Sequence, residues 1–246
     1  MNWDDFDAAL FDLDGVLTPT ADVHMDAWRS MFTRYFTEHG VEPAYTDDDY
    51  FAHVDGKPRY DGVRSALASR GVELPEGAPT DEAWAPTVCG LGNAKNHVFS
   101  QILAEQGVQA YEGSVRLLDA LQERGTAVAV VSSSRNAPVV LAAAGLAHRF
   151  EIVVDGEVAR ATGLAGKPAP DTYLRAAELL GTTAARSVVL EDAVSGVAAG
   201  RAGDFGLVVG VDRGAGAQSL RENGADVVVQ DLAELIGTPT GGAVTE

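Results

Sequence analysis

Five short apolar runs, each set off by a helix-length segment, constrain this chain more than any other feature: "AVAVV", "EIVV", "SVVL", "GLVVGV" and "ADVVV". A run of β-branched residues without polar alternation reads as a strand buried on both faces. The segments between them read as helices near 136–144, 171–180, 194–202 and 217–223, with a last helix at 231–236. Strands alternating with helices of about ten residues imply a parallel sheet with right-handed crossovers and helices on both faces. A sixth run, "FDAALF" at 6–11, lies far upstream. Between it and a helix at 113–124 the chain changes character. A helix from Ala21 to about Glu38 carries Met25, Trp28, Met31, Phe32 and Tyr35 at spacings of three and four. Short helices near 47–53 and 60–70 follow in an Asp-, Gly- and Pro-rich stretch, then a helix at 93–106 that ends at Gly107. The expected organisation is an α/β core of residues 1–18 and 108–246, interrupted by a helical cap at 19–107. Residues 237–246, "GTPTGGAVTE", read as a disordered tail.

At 246 residues and 46 % hydrophobic, the chain can bury one large core plus a smaller lobe. No apolar stretch approaches the ~20 residues that span a bilayer. The acidic start "MNWDDFDAAL" lacks the basic and apolar regions of a secretion signal. Cys89 is the only cysteine, which excludes an internal disulfide framework and a cysteine-rich metal site. A cytoplasmic protein is therefore expected, and a monomer, since no extended apolar stripe asks for a partner. The net charge of −18 argues against nucleic acid and anionic membrane as partners. An anionic ligand such as a phosphate would need a few positive groups placed locally. Only three of the 18 basic residues are lysines, Lys57, Lys95 and Lys167, and a compact ammonium is not interchangeable with a guanidinium.

The residues at the strand ends carry the chemistry. Asp12 and Asp14 follow the first run, Ser132, Ser133 and Ser134 follow "AVAVV", and Glu191 and Asp192 follow "SVVL". Lys167 stands in "GKPAPD" ahead of the helix at 171. A parallel sheet collects such groups at one rim, where open α/β sheets bind their ligands. Carboxylates gathered there repel unless a cation sits among them, and hard oxygen ligands suit Mg²⁺. A carboxylate can attack phosphorus as a nucleophile, and a second can serve as general acid and base. Other readings compete at several positions. Glu191, Asp192, Ser134 and Asn136 also suit helix caps. His24 shares a helical face with Trp28 and reads equally as a packed core residue, and Arg59 as a solvated helix residue. "GLGNAK" at 90–95 has no strand before it, which argues against a dinucleotide phosphate loop.

"FDLDGVL", Ser132, Lys167 and the "ED" at 191–192, in that order, resemble the haloacid dehalogenase superfamily of phosphotransferases. Within it, "DLDGVLTPTADVHMDAW", "DGKPRYDGV", "AKN", "VSSSRNAP", "GKPAPD" and "LEDAVSGVAAG" are most similar to the β-phosphoglucomutase-like subfamily. The resemblance implies a Rossmann-like core with a cap. It implies Asp12 as a nucleophile that becomes phosphorylated and Asp14 as the general acid/base. Mg²⁺ would be held by Asp12, the Asp14 carbonyl, Glu191 and Asp192. Ser132, Ser133 and Lys167 would hold the transferring phosphoryl group, and His24 and Lys95 would position Asp14. Arg59, Ser134, Arg135 and Asn136 would grip a second phosphate, with Gly56 and Trp28 in the same substrate site. Lys57 receives no role. The implied substrate is a sugar phosphate, foremost β-glucose 1-phosphate isomerised to glucose 6-phosphate through the bisphosphate. A phosphatase using the same covalent step is the alternative. A non-catalytic sensor would be expected to lack Asp12 or Asp14, and both are present. The chain departs from the subfamily pattern at Pro19, a hinge position where Asp is common, and at Arg135, where Lys is. It also has an extension around "VELPEGAPTDEAWAPTVCGLG".

Overall fold

A computed structural model describes residues 1–236, so the tail expected at 237–246 lies outside the described residues. The apolar runs form six strands: β1 (Ala8–Phe11), β2 (Ala127–Val131), β3 (Ile152–Val154), β4 (Ser187–Glu191), β5 (Leu207–Val211) and β6 (Val227–Val229). They make one parallel sheet in the order β3-β2-β1-β4-β5-β6. The first strand is thus central. Phe11 is in register with Val130 and Leu190, which brings Asp12, Ser132 and Glu191 out at the same carboxyl edge.

Successive side chains of a strand point to opposite faces, and the sheet buries both. Ala9, Phe11, Val130, Val188, Leu190 and Val209 pack on one side with Leu117 and Leu121 of α5 (Glu112–Arg124) and Val140 of α6 (Ala137–Ala143). Leu10, Ala129, Val131, Val189 and Val208 pack on the other. There they meet Tyr173 and Ala176 of α8 (Asp171–Leu179), Val197 of α9 (Val194–Ala202) and Leu220 of α10 (Ala217–Glu222).

Between β1 and α5 the described chain holds no strand longer than an isolated bridge, Asp14 with Thr18. Four helices lie there, α1 (Thr20–His39), α2 (Asp47–Asp49), α3 (Arg59–Ala68) and α4 (Val88–Gln106), and α1, α3 and α4 build a separate apolar cluster. It includes Trp28, Met31, Phe32, Phe36, Tyr50, Leu67 and Leu91. Spacings of three and four along α1 place its aromatic residues on that inner face. The helix expected near 47–53 is instead α2 running straight into a π-helical turn, Tyr50–Val54. The helix expected at 93–106 begins at Val88, where the Thr87 hydroxyl accepts from the Gly90 N–H, so "GLGNAK" is helical. The terminal helix expected at 231–236 is a 3₁₀ turn over Leu232–Leu235.

One helix, α7 (Gly156–Thr162), has no counterpart in the sequence reading. Its signal is Asp155, whose Oδ1 accepts from the backbone of Glu157 at 3.0 Å and Val158 at 2.8 Å. The extension at 72–92 runs into α4 at Val88, and the part before that helix is tied down by distant partners. The Arg34 guanidinium lies 4.0 Å from the Trp84 ring centroid, and Asn93 donates to the carbonyls of Pro79 and Asp81.

A buried ion pair braces the start of this helical stretch. Arg70 donates to both Asp49 oxygens, at 2.7 and 2.6 Å, and the Thr46 N–H adds a third bond at 2.8 Å. The Arg70 contact above all, with Thr46, holds the Asp49 carboxyl at about 2, below its ordinary 3.8. A depressed carboxyl pKa stabilises the fold above the unfolded value, and that contribution is lost as pH falls through the folded one. Arg70→Met is expected to cost about 2 kcal/mol at neutral pH, the gap to wild type narrowing between about pH 4 and about pH 2. Chemical denaturation across that range is the check.

Candidate active site

The cavity at the carboxyl edge, about 680 Å³, lies between the sheet and the helical insertion, and both line it. At its acidic end the Lys167 ammonium, buried, donates to Asp12 and Glu191 at 2.5 Å each and to the Val131 carbonyl at 3.1 Å. Burial disfavours this charge, yet Asp12 and Glu191 outweigh it and hold Lys167 protonated well above its ordinary range. Glu191 is fixed from both sides, accepting from the Tyr173 hydroxyl at 3.3 Å and the Ala193 N–H at 2.8 Å. Burial pushes Asp12 well above the ordinary carboxylate range, with Lys167 opposing and Glu191 and Asp14 reinforcing. The backbone turns away at Gly15, where φ is +82° and an added Cβ would lie 1.8 Å from Asp192 Oδ2. Only glycine brings the loop this close to Asp192.

Asp14 faces a different set of groups. Its Oδ1 accepts from the Thr20 hydroxyl and lies 3.4 Å from His24 Nε2, and its Oδ2 accepts from Ser132 Oγ at 3.5 Å. Lys95 contacts His24 Nδ1, and His24 stacks on Phe99 with ring centroids 4.1 Å apart. Burial works against the Asp14 carboxylate, but His24, Thr20 and Lys95 prevail and hold its pKa below the ordinary value. Burial and Lys95 push His24 down, and burial and Arg59 push Lys95 well down. Two carboxyl groups two residues apart are thus driven in opposite directions by their surroundings.

A second polar cluster lies on the other side of the cavity. Arg59 Nη2 from α3 and Asn136 Nδ2 from the loop before α6 both donate to Asn96 Oδ1 of α4, at 2.6 and 2.7 Å. Arg135 stands 5.4 Å from the Tyr60 ring centroid. The hydroxyls of the "SSS" run are partly engaged already. Ser132 Oγ accepts from the Ser134 N–H, Ser134 Oγ accepts from the Asn136 N–H, and Ser133 Oγ donates to the Gly56 carbonyl. Trp28 is buried, stacks on Phe32 and lines the cavity. Lys57 turns back on the insertion, donating to the His53 carbonyl and to Ser65 Oγ.

All residues singled out in the sequence therefore line or border one cavity. Three that belong with them were missed. Thr20 and Asn96 are ordinary polar residues on helices, although Asn96 stands beside Lys95 in "AKN". Asp55 sits in a stretch whose composition reads as a turn, yet it faces the cavity.

Among the described residues no three His, Cys, Asp or Glu side chains are close enough to hold an ion by themselves. The donor set nevertheless fits Mg²⁺, which takes one or two carboxylates and completes its shell with water and phosphate oxygens. Asp192 has no hydrogen-bond donor among the described residues, and burial, Asp55 and Glu191 push it well above the ordinary carboxylate range. Asp12 and Glu191 share one ammonium, and Asp192 is paired with no cation among the described residues. An oxygen-ligated cation is what such a surplus of carboxylate calls for.

The chain belongs to the haloacid dehalogenase-like hydrolases, whose family pattern matches residues 6–204, and it is a phosphotransferase enzyme. It is 52 % identical over 238 residues to the β-phosphoglucomutase of Mycobacterium tuberculosis (strain CDC 1551 / Oshkosh), covering 93 % of this chain and 91 % of that protein. It is 32 % identical over 232 residues to the β-phosphoglucomutase of Bacillus subtilis (strain 168), again covering 93 % and 91 %. The crystal structure of β-phosphoglucomutase from Clostridium difficile superimposes with a TM-score of 0.75 at 23 % identity, over 94 % of this chain and 93 % of that one, a likeness of fold. No helix among the described residues is long and apolar enough to cross a membrane.

Proposed function

We propose that the protein is a Mg²⁺-dependent sugar-phosphate mutase that converts β-glucose 1-phosphate to glucose 6-phosphate through an aspartyl-phosphate on Asp12. It acts as a monomer in the cytoplasm, on residues 1–18 and 108–236 as catalytic core and 19–107 as cap. The observation that carries the reading is that cationic and hydrogen-bonding groups stand at both ends of one cavity, which suits an anion at each. Lys167 with Ser132 serves one, and Arg59 with Asn136 serves the other. A phosphatase needs only the first. The 52 % identity to a β-phosphoglucomutase supports the choice of sugar.

Asp12 attacks the phosphorus in line, and the bond to the departing sugar oxygen breaks as Asp14 delivers a proton to it. In the return step Asp14 takes the proton from the accepting hydroxyl, which attacks the phosphoryl group on Asp12. Asp14 must therefore exchange a proton in each half of the cycle. Thr20 and His24 hold the carboxylate in place for this, and Lys95 holds His24. Lys167 keeps Asp12 oriented and offsets the charge of the incoming phosphate. Asp12, Glu191, Asp192 and the Asp14 carbonyl would hold Mg²⁺, which when bound supplies further charge neutralisation at the phosphoryl oxygens. Arg59, Arg135 and the Asn96–Asn136 pair grip the second phosphate, so the bisphosphate can bind in either direction.

The test supplies Mg²⁺, β-glucose 1-phosphate and a trace of glucose 1,6-bisphosphate, and follows glucose 6-phosphate and free phosphate together. Rapid glucose 6-phosphate with little free phosphate is expected. Arg59→Ala is expected to slow isomerisation by about 10²-fold or more while leaving slow hydrolysis in place. Free phosphate outpacing glucose 6-phosphate in the wild type would make the protein a phosphatase.

A further inference from the structure

One of the carboxylates beside Lys167 does not come from the sheet. Asp55 follows the π-helical turn of the insertion, and its N–H donates to the Tyr50 carbonyl at 2.9 Å. Its own carbonyl accepts from Ser195 Oγ at 3.2 Å, and the next carbonyl, of Gly56, accepts from Ser133 Oγ at 2.8 Å. Gly56 has φ of +68°, and an added Cβ would lie 2.1 Å from Ser195 Oγ and 2.9 Å from Ala193 Cβ. The turn is therefore seated flush on residues 193–195, immediately after Glu191 and Asp192.

Seating carries a negative charge toward a group of negative charges. The Asp55 side chain lines the cavity with Asp12, Glu191 and Asp192. Burial and then Glu191 push Asp55 up to about 7, and burial and then Asp55 push Asp192 up in turn. Among the described residues Lys167 is the cation that offsets Asp55, and it is already committed to Asp12 and Glu191. The contacts that hold the turn down are neutral hydrogen bonds to Ser133 and Ser195, which do not compensate that charge.

We infer that Asp55 is a positioning residue that makes seating of the 55–58 turn on the sheet edge depend on a divalent cation, the shared counter-charge of Asp55 and Asp192. The inference rests on the Mg²⁺ site proposed above. Linkage makes the dependence reciprocal: a cation that favours seating is bound more tightly once the turn is seated. The insertion then closes over a loaded site and stays off an unloaded one.

Hydrogen exchange at the amides of 54–58 and 193–197, with and without Mg²⁺ and no substrate, reads the seating directly, and calorimetry reads Mg²⁺ binding. In the wild type Mg²⁺ is expected to slow exchange by about fivefold or more. Asp55→Asn, nearly isosteric and uncharged, is expected to be protected without Mg²⁺. Its response should be less than about twofold and its Mg²⁺ affinity about fivefold or more weaker. Ser195→Ala, which removes a seating contact but no charge, should exchange faster throughout and keep the Mg²⁺ response. A full Mg²⁺ response in Asp55→Asn overturns the inference. Wild-type protein that binds Mg²⁺ with no change in exchange also overturns it and leaves the metal site standing, whereas absence of Mg²⁺ binding overturns the metal site itself.

Discussion

Asp12→Asn is expected to reduce kcat by about 10⁴-fold or more, because an amide cannot attack phosphorus as the proposed carboxylate nucleophile does. The amide keeps the shape of the carboxyl and can still accept from Lys167, so binding of the sugar phosphate, measured by calorimetry, should survive. Folding should survive as well. Asp12 is a carboxyl whose pKa is driven up by burial and by its acidic neighbours, so neutralising it relieves repulsion. Its thermal midpoint is expected at or above that of the wild type. A variant that kept more than about a hundredth of wild-type turnover would remove Asp12 from the nucleophile's role.

Lys167→Met is expected to cost about 3 to 5 kcal/mol of stability, besides its effect on catalysis, since it strands two buried carboxylates. The pH dependence carries a sign that distinguishes this cause from lost packing. In the wild type the folded pKa of Lys167 is raised above the unfolded 10.5, so the pairing is fully present below that value and fades only above the folded one. In the variant, Asp12, already raised by burial and now without its counter-ion, binds a proton more readily folded than unfolded. Its stability should therefore fall as pH rises from about 4 toward neutrality. Denaturation in chelator at several pH values would show the gap to wild type widening over that range. Adding Glu191→Gln to Lys167→Met should recover part of the stability and none of the activity. Failure to recover any would place the loss in packing.

The core of this site was legible in the sequence because strand ends announce themselves. Aspartate is a poor strand residue, so Asp12 and Asp14 after "AALF" and Asp192 after "VVLE" stand out against apolar runs. Lys167 stood out because lysine is scarce in a chain whose other basic residues are arginines. Groups on the insertion were harder to read. Asn96 earns its place through two partners, Arg59 and Asn136, that lie 37 and 40 residues away along the chain. Asp55 belongs to a stretch where acidic residues ordinarily mark solvated turns, and only folding turns it toward Asp192. The extension at 72–92 was visible as extra length. Its anchoring by Arg34 and Asn93 was not, because a cation over a ring and a side chain on a carbonyl leave no periodic trace. α7 escaped because seven residues are too few for a helical period to show, although Asp155 marked its start.

β1 sends Leu10 into one apolar layer and Ala9 and Phe11 into the other, so the residue that follows stands on a stem gripped from both sides. The far end of the cavity has no such stem: Arg59 and Asn96 ride on helices of the insertion, with an apolar cluster of their own. In the proposed mechanism the nucleophile and the groups that would grip the second phosphate thus stand on separately buttressed parts of the molecule. Anyone retargeting this scaffold to another phosphorylated compound would diversify Arg59, Tyr60, Arg64 and Asn96 and leave the strands, the 55–58 turn and Lys95 untouched. Libraries drawn that way should keep the reactive aspartate in working order whatever they come to recognise.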